Sequence, residues 1–169
     1  PEDDLAEIRW LGFRGEALPA IGAVSRLTLT SRTAHADQAW TLEVEAGAVS
    51  PVGPAALRKG SLIEIRDLFF ATPARLKFMK TVRAETMAAV DVINQLSVAR
   101  PDISFTLMVD DRTRLHYDAA QGELMSARLY RIAEVMGKDF ADNAIALQAE
   151  RDGVGLTGYS SLPTFNRGN

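Results

Sequence analysis

Between Leu11 and Leu18 the chain reads LGFRGEAL, a run of residue types suited to holding a phosphate group. Gly12 and Gly15 flank Phe13 and Arg14, and Glu16, Ala17 and Leu18 follow at the mouth of an apolar helical pattern. A helix opened by Gly15 leaves the N–H groups of Gly15, Glu16, Ala17 and Leu18 without intrahelical acceptors. Those donors converge on one point together with roughly half a positive charge, which favours an anion. The glycines remove Cβ atoms and let a bulky ligand approach the backbone, and Arg14 can add a charged fork beside it. The same residues also suit an ordinary helix start in which Glu16 balances the helix dipole.

A second stretch with chemical potential is KGSLIEIRDLFFATPARLKFMK, residues 59–80. Residues 58–83 hold seven bases (Arg58, Lys59, Arg66, Arg75, Lys77, Lys80, Arg83) against Glu64 and Asp67, inside a chain of net charge −3. A basic segment in an acidic chain is a candidate anion-facing surface, or simply a solvated face. The overall balance excludes a polycation built to coat nucleic acid. The absence of cysteine removes disulfides and thiolate metal sites, which suits a cytoplasmic protein. His35 and His116 have no ligands at metal-binding spacing, so no metal site is expected. No nucleophile-elbow motif supports a hydrolytic serine, and Trp10 and Trp40 lack the basic–aromatic interleaving that stacks single-stranded bases. No apolar run nears the roughly 18 residues of a membrane span.

The elements that must position these residues follow from periodicity. Asp3 and Asp4 suit the cap of a short helix ending at Gly12, and Gly15–Val24 reads as a second helix with Pro19 in its first turn. SRLTLTSRT and AWTLEVEAG alternate as strands, and SLIEIRDLFF reads as a third strand with an apolar end. The Pro/Gly-punctuated AVSPVGPAALRKG between them is a loop or edge. Residues 82–99 form an amphipathic helix whose stripe of Met87, Val90, Ile93 and Leu96 is assigned to core packing. ISFTLMV and RLHYD make a hairpin, and DAAQG (118–122) is a flexible domain boundary. Leu124–Met136 is a helix ended by Gly137, and a last hairpin turns at Asp152-Gly153. Hairpins with helices between them give an α+β class.

LGFRGEALPAIGAVSRL and KGSLIEIRDLFFATPARLKFMK together resemble the MutL family of DNA mismatch repair proteins, within the GHKL ATPase superfamily. The likeness extends over the chain to the closing PTFNRGN. It implies the C-terminal part of a Bergerat-type ATPase α/β sandwich over residues 1–121, followed at 122–169 by the opening of a transducer domain like domain 2 of ribosomal protein S5. In the family, the segment matching Gly12, Phe13, Arg14, Gly15, Glu16, Ala17 and Leu18 wraps the nucleotide phosphates. Ser61, after Gly60, matches a family threonine at the base of the adenine pocket and keeps its hydroxyl. DLFFATPARLKF matches the signature DLF-x-x-TPAR, and Arg75, Lys77 and Lys80 are candidate DNA contacts on a region that is basic in the family.

The resemblance also marks what this sequence does not contain. The family's catalytic Glu, its Mg²⁺-binding Asn and its D-x-G-x-G adenine motif have no match, and neither does the lysine beyond its VNGR stretch. The acidic start without Met and these gaps read as a fragment, expected to be inactive alone because base and metal ligand are both needed. ATP and Mg²⁺ are the cofactors expected of the intact protein. Its expected partners are mismatched DNA and a MutS-type recognition protein, with ATP-driven homodimerisation signalling repair. The rival reading is a non-catalytic DNA- or protein-binding module working through the basic 58–83 face. A third is an S5-like RNA-binding element at 122–169, resting on fold analogy alone.

Overall fold

The computed structural model describes Gly12 and residues 15–163. The chain divides into two compact units that part between Met79 and Lys80. In the first, helix α1 (Ala17–Gly22) precedes strands β1 (Arg26–Arg32), β2 (Ala39–Glu45), β3 (Ala48–Val49), β4 (Gly53–Ala55) and β5 (Gly60–Arg66), and a single-turn helix α2 (Pro73–Leu76) closes it. The sheet is antiparallel. β1 lies between β2 and β5, pairing Leu29 with Leu42 on one side and with Ile63 on the other. Beyond β2 the short β3 and β4 form the edge, where Pro54 of β4, lacking an N–H, is tolerated.

Alternation places Leu27 in the core and Arg26 outside it. α1 is held at the entry to β1, where Gly47 N–H donates to Gly22 O at 3.1 Å and Ser25 Oγ donates to Ile21 O at 2.7 Å. Gly22 is buried because nothing larger fits: a Cβ there would stand 2.8 Å from Val44 Cγ1 and 3.2 Å from Val44 Cβ. The third strand is shorter than its apolar sequence suggests. It ends at Arg66 because Asp67 and Phe69 take positive φ values of 50° and 68°, which turn the chain out of the sheet.

The second unit holds α3 (Val82–Ala99), β6 (Phe105–Val109), β7 (Arg112–Tyr117), α4 (Leu124–Met136), α5 (Lys138–Asp142), β8 (Ala144–Arg151) and β9 (Val154–Ser161). Thr81 caps α3 by accepting from Ala84 N–H, while Glu85 reaches back to Lys80 N–H at 2.9 Å, a capping box displaced by one residue. The two hairpins turn where left-handed residues fall in pairs, Asp110-Asp111 and Asp152-Gly153. The α3 stripe departs from expectation. Met87 is 56% exposed and Leu96 37%, whereas the covered side runs through Val90, Ile93, Asn94, Ser97 and Val98. Small Ser97 is fully buried on this side.

Replacing Gly22 by Ala should destabilise the first unit by about 1–3 kcal/mol, since β-branched Val44 has no spare rotamer to offer. Urea unfolding monitored at Trp40 tests this; an unchanged midpoint would show that the α1–β2 contact relaxes freely.

Candidate nucleotide turn and basic segment

The phosphate-turn residues fall at the start of the first unit. Phe13 and Arg14 lie outside the described residues. Gly15 has φ +64°, a conformation side chains rarely adopt, and open space where its Cβ would be. That backbone cannot be helical, so the helix begins at Ala17 rather than at Gly15, with Glu16 at its N-cap and no side-chain cap bond. The N–H groups of Ala17 and Leu18 remain without helical acceptors, and Pro19 has none to offer. Leu18 and Pro19 line an apolar crevice of about 300 Å³ with Leu27, Leu29, Leu42 and Val44. α1 therefore lies back along the sheet, with its first residues over the middle of β1.

Ser61 stands at the first turn of β5, directly opposite Ser31. Their hydroxyls are 2.8 Å apart, and Ser31 Oγ also reaches Gly60 O at 3.4 Å. Ser31 was not singled out from the sequence; the antiparallel register is the signal that identifies it. At the Arg32 end of β1 lies a cleft of about 530 Å³ in which Arg32, Asp37 and Arg58 stand among apolar residues of the 55–57 stretch. Arg32 is engaged there as a tie, donating to Ala36 O at 2.9 Å and Leu57 O at 3.4 Å. Arg32 was likewise not singled out.

The DLFF segment is clamped to the sheet through Arg26. Its guanidinium bonds Glu45 at 3.0 Å and Asp67 at 2.6 Å and lies 4.3 Å from the Phe70 ring centre. The hydrogen bonds to Asp67 and then to Glu45 raise its pKa further above the ordinary arginine value. Phe69 N–H donates to Val24 O at 2.8 Å, and the turn continues to Thr72, whose hydroxyl is buried with no hydrogen-bond partner among the described residues. Arg75 and Lys77 follow on α2 and at its end, both exposed, and Lys80 heads the second unit. Among the described residues no ion pair engages these three cations, whereas Arg66 is tied to Glu64 at 2.9 Å.

His116 has neighbours that sequence spacing did not bring out. Its ring nitrogens lie 2.8 Å from Thr106 Oγ1 and 3.1 Å from Asp118 Oδ1 on the exposed hairpin. Among the described residues no group of three or more His, Asp or Glu side chains can hold a metal ion, and no helix is long and apolar enough to cross a membrane.

No protein-family model matches the sequence. Curated relatives do, along almost its entire length. The chain is 58% identical over 167 residues to the DNA mismatch repair protein MutL of Paramagnetospirillum magneticum, covering 99% of this chain and 28% of that protein. It is 54% identical over 167 residues to the MutL of Rhodospirillum rubrum, covering 99% of this chain and 27% of that protein. The chain belongs to the MutL family. It spans about a quarter of the length of these MutL proteins. Among solved structures, the Aquifex aeolicus MutL ATPase domain complexed with ADP matches all of this chain and 61% of its own, at 28% identity and a TM-score of 0.73. A second structure of the ATPase domain of that mismatch repair endonuclease matches 94% of this chain and 60% of its own, at 26% identity and a TM-score of 0.65. The α+β fold is thus that of MutL ATPase domains.

Removing the Arg26 clamp by Arg26→Met should free the 67–70 turn while the β1–β5 pairing persists. Hydrogen exchange at the Phe69 amide is expected to quicken several-fold with β1 amides unmoved; a wild-type rate at Phe69 would show that the turn holds itself.

Proposed function

We propose that this chain forms one wall of the nucleotide site of a MutL-type mismatch repair ATPase, which binds ATP and signals repair through ATP-driven dimerisation. The observation that carries the reading is the backbone at Gly15 within the sequence GFRGEAL. Gly15 is at positive φ with open space beside it, ahead of helical N–H groups, in a chain similar throughout to an ATPase domain whose structure holds ADP. Backbone from Gly12 to Leu18 contacts the phosphates, Arg14 adds a charged fork, and the Ser61 hydroxyl, oriented by Ser31, serves the adenine end. Residues 1–121 belong to the ATPase domain and 122–169 open the transducer domain.

The cofactors of the intact protein are ATP and Mg²⁺. The described residues offer ATP backbone donors and hydroxyls but offer Mg²⁺ no ligand set, so no metal-dependent step is assigned to them. Because the sequence has no match to the family's catalytic Glu or Mg²⁺-binding Asn, these 169 residues alone are expected not to hydrolyse ATP. Arg75, Lys77 and Lys80, which have no ion pair among the described residues, contact DNA phosphates, and a MutS-type protein is the partner that presents the mismatch.

The test uses the intact protein. Gly15→Val should abolish binding of a fluorescent ATP analogue while leaving the circular dichroism spectrum unchanged; retained binding would overturn the site. Charge reversal at Arg75, Lys77 and Lys80 should weaken DNA binding and reduce the slope of log K against log salt by about 0.9 per lost contact. If the Gly15 variant binds nucleotide normally while the charge-reversed one loses DNA, the chain is a DNA-binding module of the non-catalytic kind.

A further inference from the structure

Arg131 is charged and its side chain is 0% exposed, which is costly unless it is paired and hydrogen-bonded. Each of its three nitrogens finds an acceptor, and the acceptors come from widely separated parts of the second unit. Nε bonds Glu134 at 3.0 Å, one turn along α4. Nη1 donates to Ser97 O at 3.1 Å, on the last turn of α3. Nη2 donates to Pro101 O and Ile103 O, each at 3.3 Å, and to Asp118 O. The ring centres of Phe105 and Tyr117, from β6 and β7, lie 6.0 Å and 5.2 Å from the guanidinium carbon. The Tyr117 hydroxyl donates to Asn94 Oδ1 at 2.9 Å and returns the wall to α3, and burial raises its pKa.

The stretch 118–122, whose composition suggests a flexible boundary, is fastened at Asp118 and at the two residues after it. Ala119 N–H donates to Ser104 Oγ at 3.0 Å and Ala120 N–H to Pro101 O at 2.8 Å. α4 is tied onward to β9, where Tyr159 Oη donates to Met125 O at 2.9 Å and Arg128 Nη1 to Thr157 Oγ1 at 3.1 Å.

We propose that Arg131 is a positioning residue that locks the passage from the ATPase part into α4, so that residues 97–121 and α4 open and close as one element and carry a nucleotide-induced change across that passage. The planar five-donor fork is required. Lysine keeps the charge beside Glu134 but places its three donors on one atom, which cannot span carbonyls from three segments. The clause about nucleotide rests on the function proposed above; the lock itself does not.

Hydrogen exchange by mass spectrometry on the intact protein, with and without a non-hydrolysable ATP analogue, tests both parts. In the nucleotide-free protein Arg131→Lys should speed exchange of 98–104, 118–122 and α4 together, by about tenfold or more. Any analogue-induced change in α4 should be lost while analogue affinity stays at the wild-type value. Faster exchange confined to α4 would overturn the lock. An analogue response in α4 that survives the substitution would overturn the transmission. An analogue without effect on the wild type would instead sink the nucleotide reading, and the concerted exchange would still decide the lock. If Arg131→Lys does not fold, Glu134→Gln, which keeps all five donors, replaces it: smaller increases in the same three segments support the lock, and an effect restricted to α4 contradicts it.

Discussion

The first unit depends on the double pairing of β1. Six residues, Arg26 to Ser31, pair with β2 along one edge and seven, Arg26 to Arg32, pair with β5 along the other, so one strand's register fixes three strands. A one-residue slip would turn Leu27 out of the core and bring Arg26 in, which burial makes prohibitive. The two ends of this strand then receive different work. At its start, Arg26 gathers Glu45, Asp67 and Phe70, and Ser25 anchors α1. At its finish, Ser31 meets Ser61, and Arg32 ties the neighbouring loops. The glycine-rich turn and the Ser61 hydroxyl are thus placed by a common strand although 45 residues separate Glu16 from Ser61 in sequence.

The second unit is organised around a side chain rather than a strand. Its hairpins make their own local sheets, and what joins α3, the β6–β7 hairpin and α4 is the gathering of carbonyls on the Arg131 guanidinium. A buried ion can be more costly than an apolar replacement, but removing one partner from an established network leaves several carbonyls bare. The position therefore constrains conformation more than it contributes net stability. That is the property expected of the lock proposed for Arg131.

Much of this was legible in the sequence because local chemistry and period agreed. The helices at Val82–Ala99 and Leu124–Met136, and the turn at Asp152-Gly153, follow from apolar spacing, a helix-ending Gly137 and left-handed turn residues. Periodicity fails where one residue's backbone overrides its neighbours. Leu68, Phe69 and Phe70 look like a strand, yet positive φ at Asp67 and Phe69 bends them away. It also fails where small residues decide the packing, as Ser97 does against the more apolar stripe of α3. In the candidate site, Gly15 and Ser61 were visible as motif residues. Ser31, Arg32 and Arg131 were not, because their roles arise from pairing and burial between segments far apart in the chain.

On the function proposed above, the turn ahead of α1 and the Ser31–Ser61 pair receive the two ends of one nucleotide. Backbone amide chemical shifts of the intact protein, titrated with an ATP analogue and then with ADP, test it most directly. The account predicts that Gly15, Glu16, Ala17, Leu18 and Ser61 shift together with a common dissociation constant, and that the first four respond more to the triphosphate. Shifts that spare Gly15–Leu18, or that follow a different constant from Ser61, would contradict it.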